Sequence, residues 1–194
     1  MEHAHRSNID ANIIIRDAWK IRDAMPQAIS IDNFIDAHSA NPGVVISGKL
    51  GIAQAILEAE RNSRLSLGEE WPGQKKQLDH GKMPGTWYLP FFQLLTENVR
   101  REDVDKLFDN VSFVTFNYDR CIEHYLYHAI QNYYGVQDVE RLLQALKICH
   151  PYGVVGCLPW QDPHTHVSFG GLLRNANLID LANQLRTFTE RVEG

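Results

Sequence analysis

The sequence predicts an α/β fold, rich in helix, with a small parallel sheet. Three observations carry this reading. The run Val111-Ser112-Phe113-Val114-Thr115-Phe116 is short, β-branched and aromatic, as a strand requires. A helical pattern starts directly after it, and a second strand-like run, Lys147-Ile148-Cys149-His150, follows two helical segments later. That succession is a parallel βαβ unit. Elsewhere the apolar residues recur three and four apart, the spacing of a helix with one buried face.

Taken in order, residues 1–8 are a polar lead-in. Asp10 is placed to cap a helix over 11–25, with Ile13, Ile14, Ala18, Ile21 and Met25 on its apolar side and Pro26 ending it. Ser30 caps a short helix over 31–37. Pro42-Gly43 reads as a turn, and a helix is expected over 47–62 through Leu50, Ala53, Ile56, Leu57 and Ala59. Residues 63–85 hold four glycines and two prolines and read as a mobile loop, functional if ordered. A helix over 87–99 follows. After the strand at 111–116 come helices over 120–134 and 136–146, separated by Gly135, then the strand at 147–150. Residues 161–177 read as loop and 178–188 as a last helix. Two parallel strands alone do not make a stable sheet. Either further strands are hidden in the pattern, or the chain lacks part of a larger α/β domain.

Composition narrows the function. The chain has 194 residues, 44% hydrophobic and 22% charged, as expected of one folded domain. A net charge of −5 offers no basic footprint, so direct nucleic-acid binding is not expected. Three cysteines, Cys121, Cys149 and Cys157, form no C-x-x-C pair, which argues against a disulfide framework and a four-cysteine zinc site within this chain. Reduced thiols make the cytoplasm the expected location. No apolar run approaches the roughly 18 residues of a membrane span, and Met1-Glu2-His3-Ala4-His5-Arg6 does not resemble a signal peptide.

Several motifs are absent. There is no G-x-G-x-x-G and no G-x-S-x-G, and Ser47-Gly48-Lys49-Leu50-Gly51 is not a P-loop. His124 and His128 stand four apart on one helix, a spacing that suits a metal, and His164 and His166 add ligand types nearby in sequence. Histidines among aromatic neighbours are more simply read as packed side chains, and no metal is expected. A metal-dependent hydrolase built on these four is a distant third reading.

The informative segment is Asn117-Tyr118-Asp119, placed where the first strand ends and a helix begins. In open α/β sheets ligands bind outside the carboxyl ends of strands, next to helix N-termini. Asn117 or Asp119 could equally cap that helix. The stretch Phe113-Val-Thr-Phe-Asn117-Tyr-Asp119-Arg-Cys-Ile-Glu123 resembles the Asn-Tyr-Asp segment of sirtuin-like domains, in which a Glu also follows in the next helix. His150-Pro-Tyr-Gly153-Val-Val-Gly156 resembles a later His/Gly element of that family, and Ile31-Asp32-Asn33-Phe34-Ile35 resembles a helical segment of its bacterial members. The resemblance spans about residues 12–190.

The resemblance implies a Rossmann-like domain that binds NAD or a related nucleotide. It also implies cleavage of NAD at the nicotinamide–ribose bond, an activity tied in bacterial members to anti-phage defence. Asn117 would hold ribose hydroxyls and water, His150 would act as general base, and Asp119, Tyr152 and Gly153 would line the cofactor site. In the family the His directly precedes the Gly; here Tyr152 does, and His150 lies two residues earlier, on the same strand face. The family's opening strand with a Gly-Ala-Gly loop and its closing strand have no counterpart in the sequence. The expectation is one partial, incomplete Rossmann-like domain over 1–194, with a helical part at 12–100 and a Rossmann-like part at 111–190. Partners would then be the nucleotide, a second copy or missing protein segments, and no membrane. The alternative is a non-catalytic remnant acting as a protein-interaction module through an open sheet edge and Tyr125, Tyr127, Tyr133 and Tyr134.

Overall fold

Short polar side chains set the starts of the first three helices. In the computed structural model, which describes residues 10–67, 77–162, 164, 166–173, 178–187 and 190, Asp10 accepts from the amide of Asn12 at 2.9 Å and opens α1, Ala11–Ala24. Ser30 accepts from Asn33 and opens α2, Ile31–Ala37. Asn41 accepts from Gly43 and Val44 and opens α3, Pro42–Asn62. Each cap satisfies first-turn N–H groups that have no partner inside the helix.

α3 corrects the sequence reading, which placed a turn at Pro42-Gly43 and began the helix at 47. A proline at the first helical position has no N–H to waste and its fixed φ suits the helix, so Pro42 starts α3. α1 ends as expected, passing at Pro26 into a 3₁₀ turn, Met25–Gln27.

The remaining elements are α4, Tyr88–Thr96; β1, Ser112–Val114; α5, Cys121–Tyr134; α6, Val139–Leu143; β2, Lys147–Cys149; and α7, Leu178–Gln184. A 3₁₀ helix at Arg101–Lys106, absent from the sequence reading, precedes β1. Part of the expected loop at 63–85, residues 68–76, lies outside the described residues. Its flanks are anchored: Leu65, Leu78 and Met83 are buried in the main core, and His80–Lys82 form a 3₁₀ turn. The other expected loop, 161–177, has an anchored stretch too, where His166 pairs with Cys157 in an isolated parallel bridge.

β1 and β2 pair in parallel, with Ser112 opposite Lys147, Phe113 opposite Ile148 and Val114 opposite Cys149. Phe113 and Ile148 pack on the core, while Ser112, Val114, Lys147 and Cys149 are exposed. The sheet is therefore covered on one face only, whereas parallel sheets are ordinarily covered on both. The coarse class is α/β, helix-rich with a small parallel sheet, as the sequence predicts.

Among the described residues, three apolar clusters fill the interior. The largest packs α4, α5 and α6 with the strands, around Tyr125, Leu126, Ile130 and Leu142. A second joins α3 to α7 through Ala53, Leu57, Val155 and Leu181. A third holds α1 and α2 on α3 through Ile21, Phe34 and Val44. Among the described residues no helix is long and apolar enough to cross a membrane.

Candidate functional site

The carboxyl ends of the two strands bring Asn117 and His150 together. Thr115 donates its amide to the carbonyl of Cys149 at 3.0 Å, extending the ladder one residue past β1. The chain then turns, with the Asn117 amide donating to Thr115 Oγ1 at 3.3 Å. Asp119 accepts from the Cys121 amide at 3.1 Å. Asp119, and not Asn117, therefore serves the start of α5. The Asn117 side chain is exposed and makes no hydrogen bond among the described residues.

His150 lies between this turn and α5. Its Nδ1 is 3.1 Å from the Asn117 carbonyl oxygen and its Nε2 is 3.0 Å from Glu123 Oε1. A neutral imidazole has one N–H, so it cannot donate to two acceptors at once. Both contacts are satisfied only by the imidazolium. Burial alone would lower its pKa, but the hydrogen bond and charge of Glu123, with the Asn117 carbonyl, outweigh it and hold the ring above its ordinary value. The two contacts thus favour the imidazolium form of His150 and leave neither ring nitrogen free. A base at this position must first lose a proton.

Tyr152 and Gly153 are occupied by the fold itself. The Tyr152 carbonyl accepts from the Arg186 amide at 2.8 Å, and its ring lies 5.9 Å from Phe116. Gly153 has φ 86°, and a Cβ there would stand 1.8 Å from the carbonyl oxygen of Gln184. Only glycine fits, because the end of α7 presses on it. Tyr118 adds to the same seam, its hydroxyl donating to the Arg186 carbonyl at 2.7 Å.

The residue pair that the sequence reading missed lies directly beneath. Arg120 and Glu60 are buried, with side chains 0% and 1% exposed, and meet at 2.6 Å. Arg120 also donates to the carbonyls of Val167 and Ser168, and Glu60 accepts from the amides of Arg120 and Gly170. The pair ties α3 to the first turn of α5 and to the segment 167–170, holding the turn that presents Asn117. Its signal was available: Ala53, Leu57 and Glu60 fall on one helical face, so Glu60 continues an apolar stripe.

Other titratable groups nearby are silenced by burial. Desolvation pushes the Cys121 thiol well up, with Asp119 adding to the shift, so it is no nucleophile. Desolvation lowers His124 to about 3 and His128 to about 4. His124 stacks on Phe169 at 3.8 Å and bonds the Leu65 carbonyl. Among the described residues no group of three or more His, Cys, Asp or Glu side chains could hold a metal ion.

Comparisons with family models, with curated proteins and with solved structures find no match for the chain. What defines it is a helix-rich α/β scaffold with an asparagine, a histidine and a glutamate gathered at the carboxyl edge of a two-stranded parallel sheet.

Proposed function

We propose that this edge binds the ribose end of NAD or a related nucleotide and, in the manner the Asn-Tyr-Asp segment resembles, hydrolyses the nicotinamide–ribose bond. The observation that carries the reading is His150 held between the Asn117 carbonyl and Glu123 at the carboxyl ends of both strands. The free amide of Asn117 both donates and accepts, which suits a ribose hydroxyl and an attacking water. His150, once deprotonated, takes the proton of that water as its oxygen bonds to the ribose carbon. The bond to the nicotinamide nitrogen breaks with its electron pair leaving on nicotinamide. Glu123 stabilises the imidazolium that forms. An imidazolium present from the start would instead oppose the positive charge developing at the ribose. The rate is therefore expected to rise with pH through the raised pKa of His150.

The sequence holds no Gly-rich phosphate loop, and Gly153 is covered, so NAD affinity is expected to be weak. The test incubates the chain with millimolar NAD and measures free nicotinamide. Release that disappears in Asn117→Ala and His150→Ala supports the reading; no release at any pH overturns it.

A second reading, a non-catalytic interaction module, draws on a different observation. Val114 and Phe116 are both 64% exposed on the uncovered side of the sheet, an unusual exposure for large apolar side chains beside a parallel ladder.

A further inference from the structure

We propose that the cavity between α5 and the end of α3 binds an uncharged, flat heteroaromatic ring bearing an N–H donor. The cavity measures about 750 Å³, within the size range of small-molecule sites. The segments around Trp160 and Phe169 supply its other walls. It shares no lining residue with the edge that holds Asn117, Glu123 and His150, so the inference stands apart from nucleotide hydrolysis.

Ring faces shape the walls. Tyr127, Trp160 and Phe169 line the cavity, and each is only partly buried. Tyr127 and Trp160 lie 16° from parallel with ring centres 5.8 Å apart. Phe169 lies 5° from parallel to His124, at 3.8 Å. Flat faces of this kind are covered best by another flat ring.

The polar groups specify what that ring carries. His124 is 6% exposed, and its Nε2 meets the Leu65 carbonyl, which only accepts. Nε2 therefore holds the N–H and Nδ1 the lone pair. Nδ1 makes no hydrogen bond among the described residues. Nor is it one of their sealed, unpartnered side-chain atoms, which are His80 Nε2, Glu123 Oε2 and the Tyr125 hydroxyl oxygen. His124 thus offers an accessible acceptor from the wall of the cavity. His128, one helical turn on, lines the same space, also without a hydrogen bond among the described residues or a sealed nitrogen. Burial holds both rings neutral near neutral pH, so neither attracts an anion. The charged lining groups, Arg61 and Glu140, have opposite signs and are engaged by the protein itself. Arg61 donates to the carbonyls of Gly170 and Gly171, and Glu140 accepts from the Tyr127 hydroxyl. Water would satisfy Nδ1 but leave the ring faces wet, whereas a flat N–H donor answers both.

Binding is read directly on the full chain. It is titrated with indole, with N-methylindole, which keeps the flat ring but loses the donor, and with cyclohexanol, which keeps a donor but has no flat face. Nuclear magnetic resonance follows the imidazole nitrogen signal of His124 Nδ1 and the indole N–H of Trp160. Saturable shifts with millimolar indole are expected, with N-methylindole binding about tenfold more weakly and cyclohexanol not at all. Adenine is titrated beside indole, and the tighter of the two assigns a nucleobase or an indolic ring. His124→Phe, which keeps a ring against Phe169 but removes the acceptor, should weaken indole binding about tenfold. Trp160→Leu should weaken indole and N-methylindole alike. Equal binding of indole and N-methylindole overturns the proposal, as does parent-like binding by either variant or the absence of saturable shifts with both indole and adenine. If His124→Phe does not fold, the comparison of the probes on the parent chain decides.

Discussion

Two carboxylate–cation pairs stand a few residues apart in this chain and do different work. Glu60–Arg120 is sealed and nearly every polar atom in it is used, by the partner side chain and by backbone groups of two other segments. Arginine does not titrate in the working pH range, so this pair is a fixed tie. Glu123–His150 has the same sign pattern, but its cation is an imidazole at the rim of the sheet and one carboxylate oxygen has no described partner. The lesson is that burial and full satisfaction make a charge pair structural, while a titratable member with spare valence makes it adjustable.

The comparison can be broken at the sealed pair first. Arg120→Ala leaves Glu60 buried without a counter-charge, and a loss of about 3–5 kcal/mol is expected. Chemical denaturation of parent and variant measures it; a loss below 1 kcal/mol would mean that the tie does not hold the 167–170 segment. Arg120→Met, which packs without charge, should still lose the carbonyl contacts and fall between the two.

The adjustable pair should respond less and in a pH-dependent way. Glu123→Gln is expected to cost about 1.5–3 kcal/mol below pH 6.5 and to return the His150 pKa toward its ordinary value. The folded pKa of His150 is raised, so its contribution is fully present below the unfolded pKa and fades as pH rises through the folded one. The stability gap between parent and variant should therefore narrow in alkaline buffer. A constant gap from pH 6 to pH 9 would contradict a charged His150.

The buried histidines of α5 have the opposite sign. His124 is held neutral to about pH 3, while in the unfolded chain it protonates near 6.5. Stability therefore falls as pH drops through 6.5, by about 2 kcal/mol at pH 5 for His124 and by nearly as much for His128, whose contribution levels off first, near pH 4. Thermal melts of the parent and of His124→Phe at pH 5 and pH 7 check this, the variant being the less acid-sensitive.

The smallest change in stability is expected at the residue with the largest proposed role. Asn117→Ala removes an exposed side chain without hydrogen bonds and should shift stability by no more than about 0.5 kcal/mol. Loss of nicotinamide release with an unchanged melting temperature would separate chemistry from folding at this position.

Much of the chain was determined by sequence alone, because its causes are local. Asp10, Ser30 and Pro26 mark helix ends within a few residues of where they act. The β-branched run before Asn117 and the helical period after it set β1 and α5 in order. The parallel pairing of β1 with β2 follows from helices lying between them. Tertiary structure decided everything that depends on partners far apart in sequence. The stripe Ala53, Leu57 and Glu60 marks Glu60 as inward-facing, but its partner Arg120, 60 residues on, is set only when folding brings it against Glu60. His150 reads as a free base until folding places Glu123, 27 residues earlier, on one ring nitrogen and the Asn117 carbonyl on the other. Spacing along a chain fixes which face a side chain takes, but its charge state is set by the atoms that folding brings within hydrogen-bond reach.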